Sequence, residues 1–209
     1  MKKYRVLLLL FATFLFMASC NKHDIAPTVQ PTAVTAESEY KESVTDAPAD
    51  PEITVPAATG LAALSDYDLY ETVYLQTLDF IFSYPSESAA LEDMTQAQRV
   101  FYILSIYDME IQNGGLCQFF VNSSRSLAPH VENCLETVGA DAHKDLFTSF
   151  IEENQIDVSD LDSFIIYDIE DYAKQTQRYD FDSFDMNYYD LPPLFDYLVK
   201  YIRNNIYEF

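Results

Sequence analysis

The stretch EIQNGGLCQFFVN, residues 110–122, is the strongest local motif in the sequence. Apolar residues ahead of it recur at helical spacing, whereas its two adjacent glycines permit positive φ and a sharp turn. We therefore expect one helix to end at Asn113 and the next to begin directly after the glycines. Gln118 and Asn122 are four residues apart, so their amides share a helix face and can bond backbone groups that the turn frees.

Two interpretations of this stretch are open. In the first it is a buried structural corner, in which Phe119 and Phe120 cover the turn and the amides act as capping groups. In the second it lines a ligand pocket, whose polar side chains are Glu110, Asn113, Gln118 and Asn122. The residue types favour the corner, because amides beside a tight turn are usually capping groups.

Residues on both sides of this stretch predict where further helices begin and end. Ser65 and Thr95 are candidate N-caps, since each precedes apolar residues at helical spacing. Gly139 follows another such run and is a candidate left-handed C-cap. Pro192 is placed to begin the last helix, because proline is tolerated in a first helical turn.

The remaining stretches complete an all-helical prediction. Residues 161–177 are expected to be helical, although residues 164–167 alone are also compatible with a short strand. No internal repeat and no second domain are visible in the sequence. We therefore predict a single compact all-α domain of about six to eight helices over residues 61–209.

The amino terminus has the pattern of an export signal. A basic start, an apolar run over residues 6–17 and small residues before Cys20 predict a signal peptide at residues 1–19. Residues 17–20 resemble a bacterial lipobox, whose cysteine is lipidated; an ordinary signal peptide with a chance cysteine is the alternative. Proline-rich residues 20–60 lack helical or strand periodicity and predict a linker. We expect a lipid-anchored protein of the bacterial cell envelope, at the outer membrane or cell surface.

The chain is strongly acidic. It has 34 acidic and 12 basic residues, which give a formal net charge of -22. Because this charge repels phosphates, direct binding of nucleic acid is not expected. Acidic residues concentrate between positions 150 and 190, where we predict an acidic surface that includes Asp160, Asp162, Asp168, Asp171, Asp180, Asp182 and Asp185. Helical carboxylates three or four residues apart lie about 5–6 Å from each other, so they either imitate phosphates or form a solvated face that gives solubility.

The sequence contains no catalytic constellation and no cofactor motif, so we expect a binding module rather than an enzyme. Residues 180–187 resemble a calcium loop only weakly, since they lack its central glycine and its distal glutamate. The three histidines do not have zinc-ligand spacing with cysteines, and no metal is expected. Cys117 and Cys134 could form a disulfide in an exported domain or remain buried thiols, and both alternatives are open.

Residues 110–122 resemble the hallmark of the C-terminal-type domain of the DNA-mimic proteins, which is otherwise described as a domain of unknown function. The matching positions are Glu110, Asn113, Gly114, Gly115, Gln118, Phe119, Phe120 and Asn122. Leu116 stands where the family has an aromatic residue. The resemblance covers residues 61–209 and implies an all-helical domain. The family's characterised acidic dimer acts as a DNA decoy for a transcription factor, which implies a homodimer and a basic protein partner.

Export restricts what this acidic surface can meet, because an exported domain does not encounter cytoplasmic repressors. The expected function is therefore that of an acidic interaction module, attached to the membrane by its lipid and engaging a basic protein partner at the envelope. Two alternatives are open. One is a small-ligand or enzymatic domain centred on residues 113–115, and the other is a structural surface lipoprotein.

Overall fold

The computed structural model describes residues 58–209. The predicted signal peptide, the lipidated Cys20 and the predicted linker up to residue 57 lie outside the described residues. Within residues 58–209 all regular structure is helical and no strand occurs, which confirms the all-α prediction. None of the helices in this part of the chain is both long and apolar enough to cross a membrane.

Residues 58–209 form nine α-helices and three short 3-10 helices. The α-helices are α1 (Ala58–Ala62), α2 (Asp66–Phe82), α3 (Glu87–Asp93), α4 (Gln96–Val121), α5 (Ala128–Val138), α6 (Asp141–Glu153), α7 (Ile169–Gln175), α8 (Phe181–Asp190) and α9 (Leu194–Asn204). The 3-10 helices are Ser123–Leu127, Asp162–Phe164 and Ile206–Glu208. The helices beyond the expected six to eight are short segments, and α1 begins within the stretch assigned to the linker.

Three predicted caps are confirmed. The Ser65 hydroxyl accepts a hydrogen bond from the Asp68 amide at 3.2 Å and begins α2. Thr95 forms a reciprocal capping box with Gln98 at the start of α4, with distances of 3.1 and 3.0 Å. Gly139 ends α5 in the left-handed conformation, with φ 75° and ψ 26°.

The region after α6 differs from the expectation. The helix predicted over residues 161–177 is instead a short 3-10 helix followed by α7, because Asp168 acts as an N-cap and accepts the Asp171 amide at 2.8 Å. The strand alternative at residues 164–167 does not form either. The last helix begins at Leu194 rather than at Pro192, since Pro193 is its extended N-cap.

The core is organised around α4, which packs against α2, α5, α7, α8 and α9. Phe101, Tyr107 and Phe119 of this helix are fully buried. The Tyr107 ring makes edge contacts with Phe119, Phe147 and Tyr188, at centroid distances of 5.3, 5.6 and 6.0 Å. These contacts join α6 and α8 to the middle of α4, where the residues singled out in the sequence lie.

Candidate functional site: the α4 kink and the acidic helix α8

The glycine pair bends α4 into two helical halves, as the sequence predicted. Gly114 has φ -157° and ψ 21°, and Gly115 has φ 79° and ψ 177°. The positive φ of Gly115 with an extended ψ is a conformation that only glycine adopts readily. We call this break, together with the hydrogen bonds made across it, the α4 kink.

Both glycines also provide space for neighbouring side chains. A Cβ atom at position 114 would overlap with the side-chain carbonyl of Gln118. A Cβ atom at position 115 would overlap with the carboxylate of Asp185, which reaches the kink from α8. Position 115 therefore requires glycine for two reasons. The backbone conformation disfavours any other residue, and the close approach of Asp185 leaves no room for a side chain.

Asp185 caps the second half of α4 from a different helix. Its Oδ1 accepts the Leu116 amide at 2.9 Å, and this amide is among those left without an intrahelical partner by the kink. Burial raises the pKa of Asp185, although the bond from Leu116 opposes that shift. Asp185 is half-buried and belongs to the α4 kink, whereas the sequence assigned it to the acidic surface.

Glu110 lies at the centre of the kink and is 2% exposed. One carboxylate oxygen accepts bonds from the amides of Gln118 at 2.7 Å and Asn122 at 2.9 Å. The other accepts the Ser124 hydroxyl at 2.8 Å. Three neutral donors thus satisfy a buried carboxylate and tie together the segments before and after the bend.

This network differs in detail from the expectation. The amides of Gln118 and Asn122 bond the Glu110 carboxylate rather than freed backbone groups. Asn113 is exposed, and its side chain makes no hydrogen bond with the described residues. Phe119 and Phe120 are fully buried beside the bend, as expected for residues that cover a turn. The geometry is that of a structural corner.

Helix α8 is fixed to the kink by two further hydrogen bonds. The Tyr188 hydroxyl donates to Asp108 at 2.8 Å, and the Tyr189 hydroxyl donates to the Ile111 carbonyl at 2.8 Å. Burial raises the pKa of Asp108 and raises that of Tyr188 well above its ordinary value. Sequence reasoning did not identify these residues, because their roles depend on how α8 aligns with α4, which no local pattern specifies.

The seven aspartates of the predicted acidic surface fall into two groups. The exposed members are Asp160, Asp162, Asp168, Asp180 and Asp182. Asp171 and Asp185 are half-buried. Asp171 pairs with Lys174 at 2.9 Å, and the hydrogen bond from Lys174 lowers the pKa of Asp171. The exposed five, which we call the acidic surface from here on, are the members that solvent and a partner can reach.

The basic residues compensate few of the acidic ones. Residues 58–209 contain 27 acidic and 7 basic side chains, and three ion pairs join them. Arg99, Arg125 and Arg178 donate instead to backbone carbonyls, at distances between 2.9 and 3.2 Å. Most carboxylates of this part of the chain therefore have no internal cation.

Among residues 58–209, no metal-ligand cluster lies at the kink, and neither of two surface grooves reaches it. Among the described residues, no three His, Cys, Asp or Glu side chains are grouped so that they could hold a metal ion. Two surface grooves of about 210 and 290 Å³ are present, and residues 110–118 line neither of them.

Cys117 and Cys134 are free and buried, and burial raises the pKa of each thiol to about 12.

Comparison with known proteins identifies the family. The family described as DMP19-like protein matches residues 92–205, a range that runs from the end of α3 to the end of α9 and includes the α4 kink. No curated protein and no solved structure matches the chain. Because the family match covers more than half of the sequence, the chain belongs to the DMP19-like protein family, and its helical domain is of the DNA-mimic type.

Proposed function

We propose that this protein is a non-enzymatic, lipid-anchored interaction module of the bacterial cell envelope, whose acidic surface binds a basic protein partner. The observation that carries this proposal is the lack of internal compensation, with 27 acidic against 7 basic side chains in residues 58–209. Uncompensated charge of one sign attracts partners of the opposite sign and steers their association. Membership of a DNA-mimic family also supports binding to a basic protein partner.

The placement of the acidic surface also supports binding. Asp168 and Asp180 cap α7 and α8, so their carboxylates are held at defined positions. Asp182 follows in the first turn of α8, and Asp160 and Asp162 precede α7 in the connecting segment. Carboxylates fixed in this way lose less conformational entropy on binding than carboxylates on unrestrained side chains.

The kink offers less support for a ligand-binding or enzymatic role. Glu110, Gln118, Asn122 and Ser124 bond one another, so their polar groups are already paired. A ligand would have to break these bonds and leave a buried carboxylate without its donors, which is costly. We therefore assign the motif a structural role and the acidic surface the binding role.

The envelope location rests on the sequence alone. Cys20 follows a signal-peptide pattern that resembles a lipobox, and acylation there would supply membrane attachment that the negative charge of the polypeptide opposes. In cells given a radiolabelled fatty acid, the protein should become labelled. Cys20→Ala should remove the label, and persistent labelling of that variant would contradict attachment at this cysteine.

Binding can be tested with a labelled octalysine peptide and the full-length chain in non-ionic detergent. We expect the affinity to fall at least about tenfold between about 50 mM and about 500 mM NaCl, because screening weakens exposed charge pairs. A variant with the five aspartates of the acidic surface changed to asparagine keeps the caps, since asparagine caps as well as aspartate does.

The matched control changes five exposed acidic residues elsewhere to their amides: Asp79, Glu92, Glu132, Asp145 and Asp196. Both variants lose five negative charges. Any difference in their affinity for octalysine therefore depends on where those charges lie. We expect the acidic-surface variant to lose at least about fivefold more affinity than the control. Equal losses, or binding that does not respond to salt, would reject a binding surface at this position.

A further inference from the structure

Helix α8 has two faces of different character. Phe181, Phe184 and Tyr188 are buried against the core. The opposite side of the helix, which we call the α8 face, consists of Asp182, Met186, Tyr189 and Asp190. These positions share one side because they follow the helical repeat.

The α8 face places apolar side chains between two carboxylates. Met186 is 65% exposed and Tyr189 is 51% exposed, which is high for large apolar residues. Asp182 and Asp190 are both exposed and are separated by about 12 Å along the helix axis. A contact surface of this kind combines a hydrophobic centre with negative charge at both ends.

The Tyr189 ring is held in place while it remains accessible. Its hydroxyl donates to the Ile111 carbonyl of the kink at 2.8 Å, and its ring lies nearly perpendicular to the Tyr188 ring at a centroid distance of 6.2 Å. Half of the side chain is nevertheless open to solvent. A ring that is already ordered loses little entropy when a partner packs on it.

None of the described residues places a cation on the α8 face. The three ion pairs within residues 58–209 involve Asp66, Glu136 and Asp171, and none involves α8. The fold also contains an example of arginine on aromatic rings nearby, since the Arg178 guanidinium lies 5.2 Å from the ring centres of both Phe164 and Tyr179. On the α8 face, residues 58–209 supply no such cation to the ring or the carboxylates.

We infer that the α8 face binds an arginine side chain of the basic partner, with the guanidinium over the Tyr189 ring and its charge facing Asp182 or Asp190. This inference rests on the proposed function and specifies the chemistry of the partner. Arginine fits better than lysine, because a planar guanidinium stacks on an aromatic ring and donates to carboxylates at once. Charge disfavours a second copy as the occupant, since it would bring the same aspartates into contact.

The test compares octaarginine with octalysine on the full-length chain, by fluorescence anisotropy at constant salt. We expect octaarginine to bind about two- to fivefold more tightly than the charge-matched octalysine. Tyr189→Leu should remove this preference, while Tyr189→Phe, which keeps the ring, should retain it. Tyr207→Leu is the matched control, because Tyr207 is 88% exposed and lies next to an acidic residue away from α8.

The outcomes separate this inference from the proposed function. If both peptides bind equally and Tyr189→Leu changes neither, the inference fails while the acidic binding module stands. If neither peptide binds in a salt-dependent way, the proposed function fails and the inference with it. Concentration-dependent self-association that Met186→Ala abolishes would assign the face to a second copy and overturn the arginine site. Circular dichroism of Tyr189→Leu verifies that the variant is folded.

Discussion

The α4 kink and the acidic surface are both rich in polar residues, but they use them in opposite ways. At the kink, the buried Glu110 carboxylate accepts three hydrogen bonds, and Asp185 completes the second half of the helix. On the acidic surface, five exposed aspartates take part in none of the three ion pairs of the described residues. The two regions show that a high density of polar residues can mean either a corner whose polar groups are already paired or a surface whose charge is still available to a partner.

A methyl group added at the kink should destabilise the protein more than any other change considered below. Gly115→Ala should lower the free energy of unfolding by at least about 3 kcal/mol, because it combines an unfavourable backbone conformation with an overlap at Asp185. Urea denaturation measures the loss. Gly139→Ala is the matched control, since position 139 also has positive φ but open space around it, and it should cost about 1 kcal/mol. Equal losses would contradict the role given to Asp185.

The next effect concerns the buried carboxylate. Glu110→Gln should cost about 2 kcal/mol, because it removes the negative charge that strengthens the bonds from Gln118 and Asn122 and forces the Ser124 hydroxyl to change from donor to acceptor. Thermal and urea denaturation give the loss. The exposed Glu132→Gln should stay within about 0.5 kcal/mol of the parent. A Glu110→Gln variant as stable as the parent would show that the network contributes little to stability.

The stability of the buried core should also depend on pH, through His143. His143 is 1% exposed, its Nδ1 has no partner among the described residues, and burial lowers its pKa to about 4. Its contribution to stability is fully present above the unfolded pKa of about 6.5 and is lost as pH falls towards 4. The loss between about pH 7 and about pH 4 should be on the order of 2–3 kcal/mol.

This contribution can be isolated by comparing the parent with His143→Gln in urea titrations between about pH 7 and about pH 4. The parent should lose more stability over this range than the variant does. Parallel pH profiles would mean that His143 is protonated in the folded protein without penalty. The comparison also removes the effects of the carboxylates, which titrate in both proteins.

The smallest effects separate two aspartates of one helix. Asp185→Ala should cost about 1–2 kcal/mol, since the Leu116 amide loses its acceptor. Asp182→Ala should change stability by less than about 0.5 kcal/mol, since Asp182 is exposed and lies three residues before Asp185, outside the α4 kink. Octalysine binding should reverse the order, with Asp182 contributing more than Asp185. If the two variants behave alike in both assays, the boundary between the kink and the acidic surface is misplaced.

Much of the fold was predictable because local signals determine it. Ser65, Thr95 and Gly139 act as caps, and capping depends on a few neighbouring residues. The break in α4 was predictable for the same reason, since two adjacent glycines within an apolar helical run favour a turn at that point. Helices α3 and α8 were missed because their polar, aspartate- or serine-rich sequences also suit loops.

The site was only partly predictable because its key contacts are distant in sequence. The sequence identifies residues 110–122 as a motif, but only the structure shows which donor bonds which acceptor. Asp185 was interpreted as a surface acid, since nothing near it indicates that it reaches position 116 across 69 residues. Contacts of that kind depend on tertiary packing, which the residues around Asp185 do not encode.

One measurement tests most directly the claim that the kink and α8 are locked together through Asp185. It is the double-mutant cycle of Gly115→Ala and Asp185→Ala, followed by urea denaturation. Removing the Asp185 carboxylate should relieve the overlap, so the double variant should be more stable than the sum of the single losses predicts, by at least about 1 kcal/mol. Losses that add within about 0.5 kcal/mol would contradict the claim.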